Sequence, residues 1–154
     1  MNDIDSNYLS RIEIPDDSKF ASTASRIVGL YQPEIEDRRP ETLKAKADQL
    51  LALLGTDIRK KVQLELDSRE RRLWTNLPAR PDAGGIRLGV LNKAQIESTL
   101  DLLAHLLSPQ GYEKMRLIML ADDQLLRGGR SRPGFGTEYF SIVLFGEPST
   151  SKPW

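Results

Sequence analysis

Cysteine is absent from this 154-residue chain, and histidine occurs only at His105. Without thiols there is no disulfide and no cysteine nucleophile, which suits a cytoplasmic protein. One histidine and no cysteine also exclude a His/Cys transition-metal site assembled from these residues alone. A carboxylate-only Mg²⁺ or Ca²⁺ site would need acidic residues at ligand spacing; no such cluster stands out, so no cofactor is identifiable in the chain. Long apolar runs are missing too, and none approaches the roughly 18 residues that span a bilayer. The opening residues Met1–Asp5 are acidic and lack the basic-then-apolar order of a signal peptide. Neither charge is in excess, since Lys+Arg and Asp+Glu number 22 each, so no global field recruits nucleic acid or anionic lipid.

What is present is a near-average globular composition, 39% hydrophobic with 11 glycines. Residues 1–40 read as a weakly structured N-terminal arm. Within it, Ala24, Ile27, Val28 and Tyr31 share one face of a short helix that Pro33 ends. From Glu41 to Leu54, Leu43, Ala47, Leu50 and Leu54 recur at helical spacing, and Gly55 supplies a stop. A second short helix runs from Thr56 or Asp57 to about Leu64. Asn92 with Gln95 forms a capping-box variant that opens a helix to Leu107, its core stripe being Ile96, Leu100, Leu103 and Leu107. His105 falls on the opposite, solvent-facing side. Ser108–Pro109 starts another helix, carrying Tyr112, Met115, Ile118, Met119 and Leu125–Leu126 and ending at Gly128–Gly129.

The strongest β signal is Glu138–Phe145, dense in aromatic and β-branched residues and closed by Gly146–Glu147–Pro148–Ser149. The expected class is therefore α+β: a helical N-terminal layer packed on an incomplete antiparallel sheet that ends in strand 138–145. On that reading, residues 41–154 are the N-terminal part of a larger, truncated domain. The open edge of strand 138–145 then invites self-association.

Five segments, in order, carry a resemblance. They are Trp74–Pro78; Gly85–Leu88 followed by Leu91–Gln95; Leu107–Lys114; Ile118–Asp123; and Tyr139–Trp154 with its Phe145–Gly146–Glu147–Pro148–Ser149. Over residues 40–154 the chain resembles the first half of the domain of unknown function family DUF3500, found in bacterial and fungal proteins. The resemblance implies a continuation beyond Trp154 with a Gly-His-His stretch and further histidines, so any histidine site of the family lies in a C-terminal half missing here. It implies no reaction, because the family's biochemistry is unassigned.

The residues that could carry chemistry are few. Asp123, beside Asp122 near a helix end and between Met119 and Leu125, reads either as a general base raised by burial or as one of a solvated or arginine-paired couple. Glu147 and Ser149 follow a strand, where functional loops are often placed; they read equally as a tight turn. Arg87 after Gly84–Gly85 offers a planar fork for a carboxylate or phosphate, though arginines on half-exposed strands usually make ion pairs. Trp74 is a core or interface anchor with binding potential. Arg127, Arg130 and Arg132 fall short of a nucleic-acid footprint. Two functional classes follow: a binding or structural module with no complete active site, or part of a metal-dependent enzyme to which Glu147, Asp123 and Arg87 contribute from this side.

Overall fold

A computed structural model describes residues 22–35, 37–73, 84–127 and 134–154. Its helices are α1 (Thr23–Leu30), α2 (Pro40–Leu53), α3 (Thr56–Val62), α4 (Lys93–Leu106) and α5 (Pro109–Arg127). Four two-residue strands accompany them: β1 (Gln63–Leu64), β2 (Ile86–Arg87), β3 (Ser141–Ile142) and β4 (Leu144–Phe145). The class is α+β.

Helix α4 is the centre, packed by α1, α2 and α5. It buries Ile96, Thr99, Leu100, Leu102, Ala104 and His105, a wider face than one stripe, because neighbours cover it on several sides. His105, expected to face solvent, is buried, and its Nδ1 lies 2.7 Å from the Asp101 carbonyl. The capping box forms as read: Asn92 accepts from the Gln95 N–H, and the Gln95 side chain accepts from the Asn92 N–H, both at 3.0 Å. The Gln95 amide also donates to the Leu53 carbonyl at 3.0 Å, tying the start of α4 to the end of α2. Ser108 caps α5 by accepting from the Gly111 N–H. Of the apolar residues that α5 carries, Ile118 and Leu125 are exposed; the buried face is Tyr112, Arg116, Met119, Leu120 and Asp123.

The arm expected over 1–40 divides. Residues 1–21 lie outside the described residues, whereas α1 is part of the core and buries Ala24, Ser25, Ile27, Val28 and Gly29 against α4, α5 and two 3₁₀ turns. An arginine from elsewhere caps its C-terminus: Arg116 donates from Nε to the Val28 carbonyl at 2.8 Å and from a terminal nitrogen to the Gly29 carbonyl. The residue four beyond Gly29 is Pro33, which has no N–H to give it. The same device recurs after α4, where Arg38 donates to the carbonyls of Ala104 and His105 at 2.9 Å each, and to Leu107. There the residue four beyond His105 is Pro109.

Ahead of α2, Asp37 gathers three bonds: Thr42 Oγ1 at 2.6 Å, the Arg39 N–H at 2.9 Å and the Arg39 guanidinium at 3.1 Å. The Thr42 hydroxyl first, then Arg39, hold its carboxyl well below the usual aspartate range. A lowered folded value means stability present above the unfolded value of about 3.9 and lost as pH falls through and below it. Asp37→Asn should therefore lower stability at pH 7 and flatten the loss between about pH 4 and pH 2, seen as converging urea midpoints of the two proteins in acid. Equal midpoints at pH 7 would contradict this.

The C-terminal run differs from the single strand expected over 138–145. Thr137–Tyr139 is a 3₁₀ turn, entered from Gly136 at φ 110°, and the strands are broken at Val143. The 3₁₀ turn follows from Thr137, whose N–H and hydroxyl bond to Asp123 on α5 and so override the β preference of the adjoining aromatics. Each half then pairs with a different partner: β3 antiparallel with β2, Ile142 opposite Ile86, and β4 parallel with β1, Leu144 opposite Gln63. Bonds from the Leu88 N–H to the Phe140 carbonyl (2.8 Å) and from the Gly146 N–H to the Leu64 carbonyl (2.7 Å) extend both pairings.

Gly85 makes the first pairing possible. Its φ is +78°, and a Cβ there would run into the Ile142 carbonyl oxygen and lie 3.2 Å from Val143 Cβ. Gly85→Ala is expected to cost about 2–4 kcal/mol, the sum of positive-φ strain and overpacking. Chemical denaturation measures it; a loss below about 1 kcal/mol would mean that β2 shifts freely.

Candidate functional site

Glu147 stands at the edge of a groove of about 840 Å³ between α2, α3, β1 and the turn after β4. One wall carries Lys44, Asp48, Arg59 and Lys60; the floor and far wall carry Gln63, Leu64, Glu65, Gly146 and Pro148. Helical spacing puts Lys44 and Asp48 on one face, where they form an ion pair, and Arg59 donates to Gln63 at 3.1 Å. The Gln63 amide in turn donates to the Gly146 carbonyl at 3.2 Å, so the turn is fixed to β1 from both sides of Gly146. Glu147 is exposed, and among the described residues no hydrogen bond or ion pair engages it.

Ser149 serves the turn itself. Its hydroxyl accepts from the N–H groups of Ser151 and Lys152 at 3.2 and 3.0 Å, and its carbonyl accepts from the Trp154 indole at 2.9 Å. Trp154 packs against the core, as a tryptophan with a bonded N–H can.

Asp123 lies elsewhere. It is 3% exposed, and both carboxylate oxygens are occupied: Oδ1 accepts the Thr137 N–H at 2.8 Å, while Oδ2 lies 2.5 Å from the hydroxyls of Ser25 and Thr137. The solvated or arginine-paired reading does not describe this: Asp123 is buried, and among the described residues no ion pair engages it. Arg116, a candidate partner along the helix, bonds Glu113 and the α1 carbonyls instead. The neighbour Asp122 has its carboxyl pushed upward, chiefly by desolvation and also by the nearby Asp123 charge, against a backbone hydrogen bond from Gly136. Arg87 is half-buried, with its guanidinium 5.2 Å from the Tyr139 ring centre. Asp123 and Arg87 thus meet the same 3₁₀ turn through Thr137 and Tyr139, while Glu147 and Ser149 sit apart at the groove. Trp74 and the Arg130–Arg132 loop lie outside the described residues.

Sequence reasoning missed the helix-capping roles of Arg116 and Arg38, and the groove. The two arginines had a faint signal in Pro33 and Pro109, each of which strips a donor from the end of the preceding helix. The groove had none, because its walls come from segments some eighty residues apart, as the Gln63–Gly146 bond records. Among the described residues no group of three or more His, Asp or Glu is placed to hold a metal ion, and no helix is long and apolar enough to cross a membrane.

A family model described as "Protein of unknown function (DUF3500)" matches residues 36–154. No curated protein and no solved structure matches the chain.

Proposed function

The chain belongs to that family of unknown function, and on this premise we propose that it is a binding and supporting layer without a complete catalytic centre of its own. The observation that carries this reading is the state of Asp123: the one buried acidic candidate is 3% exposed, with the Thr137 N–H on one oxygen and the hydroxyls of Ser25 and Thr137 against the other, so its carboxylate faces packed groups and not the groove. A general base needs a free lone pair facing the proton it removes. Glu147 shares the groove with the acids Asp48 and Glu65 and the cations Lys44, Arg59 and Lys60, and among the described residues no nucleophile or second acid is bonded to it. Such a lining suits recognition of a polar ligand more than bond breaking. The absence of cysteine supports a cytoplasmic setting.

A second reading has one observation in its favour. Glu147 is exposed on a fixed turn beside a groove, the geometry of a carboxylate that completes a metal site with ligands from outside this chain. The resemblance implies a histidine-bearing continuation after Trp154. The two readings part on metal content. A protein extended past Trp154 by the histidine-bearing segment that the resemblance implies, dialysed against Zn²⁺, Mn²⁺ or Mg²⁺ and assayed by plasma emission and calorimetric titration, is expected to hold no stoichiometric metal that depends on Glu147. Stoichiometric metal that disappears in Glu147→Gln would overturn the first reading in favour of the second.

A further inference from the structure

Helix α1 lies outside the residues that match the family, yet two of the most deeply buried polar side chains of the matched part are spent on it. Both come from one face of α5, two helical turns apart. Asp123 meets the first turn of α1, where Ser25 Oγ donates to it at 2.5 Å; Arg116, 1% exposed, meets the last turn through the Val28 and Gly29 carbonyls. An anion therefore faces the positive end of α1's dipole and a cation faces its negative end. Between them the surface formed by α4, α5 and the 3₁₀ turns receives Ala24, Ile27 and Val28. Such a surface distinguishes a helix from a loop, and one helix direction from the other. Left empty, it would expose a half-satisfied Asp123 and an Arg116 holding only Glu113.

We propose that this surface is a socket for a short amphipathic helix, that α1 fills it from its own chain, and that α1 of a second copy can fill it instead. The connection permits the exchange. The backbone leaves α1 extended at Tyr31, ψ 115°, and enters α2 extended at Arg39, ψ 154°. Tyr31 is held to the core, its carbonyl accepting from the Tyr112 hydroxyl at 3.4 Å, and the chain is next held where Ile35 packs on the core, then by side-chain bonds at Asp37 and Arg38, so residues 32–34 are the hinge. A tether this short gives α1 an effective concentration in the millimolar range at its own socket, which keeps the native chain monomeric at micromolar concentration. Shortening the hinge removes that advantage without touching the socket.

The test is a chain lacking residues 32–34, examined by analytical ultracentrifugation at 10–200 µM (an order-of-magnitude working range around the tether's millimolar scale). The expected product is a dimer in which amides 23–30 stay protected from hydrogen exchange, as in the native monomer. Adding Ser25→Asp, which sets a second carboxylate against Asp123, should reduce dimer formation at least tenfold. A monomer, whether or not α1 remains protected, or an aggregate in place of a dimer, would overturn the proposal. A second measurement does not depend on the deletion. A labelled peptide of residues 22–33 should bind the full chain carrying Ser25→Asp at 1:1 and, should that variant be unfolded alone, restore its near-ultraviolet dichroism. The same peptide carrying Ser25→Asp should bind at least tenfold more weakly. No binding by the native peptide, or equal binding by both, would overturn the proposal.

Discussion

Replacing Arg116 by methionine is expected to destabilise the protein by about 3–5 kcal/mol, a large share of the roughly 5–15 kcal/mol that holds a domain of this size together. The side chain is 1% exposed and spends its donors on the Val28 and Gly29 carbonyls and on Glu113, with Tyr112 at 5.9 Å beneath the guanidinium. Methionine restores volume but no donor. The Gly29 carbonyl then has no partner, because Pro33 stands where the next helical N–H would be, and Glu113 loses its cation. Each buried orphan costs about 1–3 kcal/mol. Arg116→Lys should fall between the native protein and Arg116→Met, since an ammonium keeps the charge but cannot reach two carbonyls and a carboxylate in one plane. Urea titrations of the three proteins measure the order. A loss below about 1 kcal/mol for Arg116→Met would show that water already serves those carbonyls.

The partnership of Arg116 with Pro33, and of Arg38 with Pro109, explains what the sequence made legible. Signals contained within one turn were readable: the Asn92–Gln95 box, the Ser108 cap, and the Leu43–Ala47–Leu50 spacing of α2, of which Ala47 and Leu50 are buried. Such signals work because donor and acceptor are three or four residues apart. The arginine caps join residues 66 to 88 positions apart, and no local pattern encodes that distance. His105 departs from its expected exposure for a related reason. A single apolar stripe predicts one buried face for α4, but a helix packed by three others buries most of its circumference. The Glu138–Phe145 run shows the converse, a strong local β preference broken by a distant carboxylate. The candidate site was less legible than the fold. Glu147 was singled out and does line the groove, whereas the basic residues opposite it carry no motif and came to notice only once α2 and α3 faced the turn.

That distant carboxylate gives the second large effect. Asp123→Leu removes the acceptor of the Thr137 N–H and of the Ser25 hydroxyl while roughly keeping the volume, and is expected to cost about 3–5 kcal/mol. Asp123→Asn should cost less, about 1–3 kcal/mol, for a geometric reason. Its carbonyl can still accept the Thr137 N–H, and the hydroxyls of Ser25 and Thr137 can rotate to receive its NH₂ in place of donating; what is lost is the charge that shortens and strengthens those bonds. The damage should be directional. Thr137 anchors the 3₁₀ turn that delivers Phe140 to the Leu88 N–H and sets β3 against β2, so hydrogen exchange at Leu88 should rise together with exchange in α1. Amides in α2, which touches neither Asp123 nor Thr137 through any described bond, should change only as far as global stability falls. Were Asp123→Leu as stable as the native protein, the 3₁₀ turn at Thr137 and the seating of α1 would both need another cause.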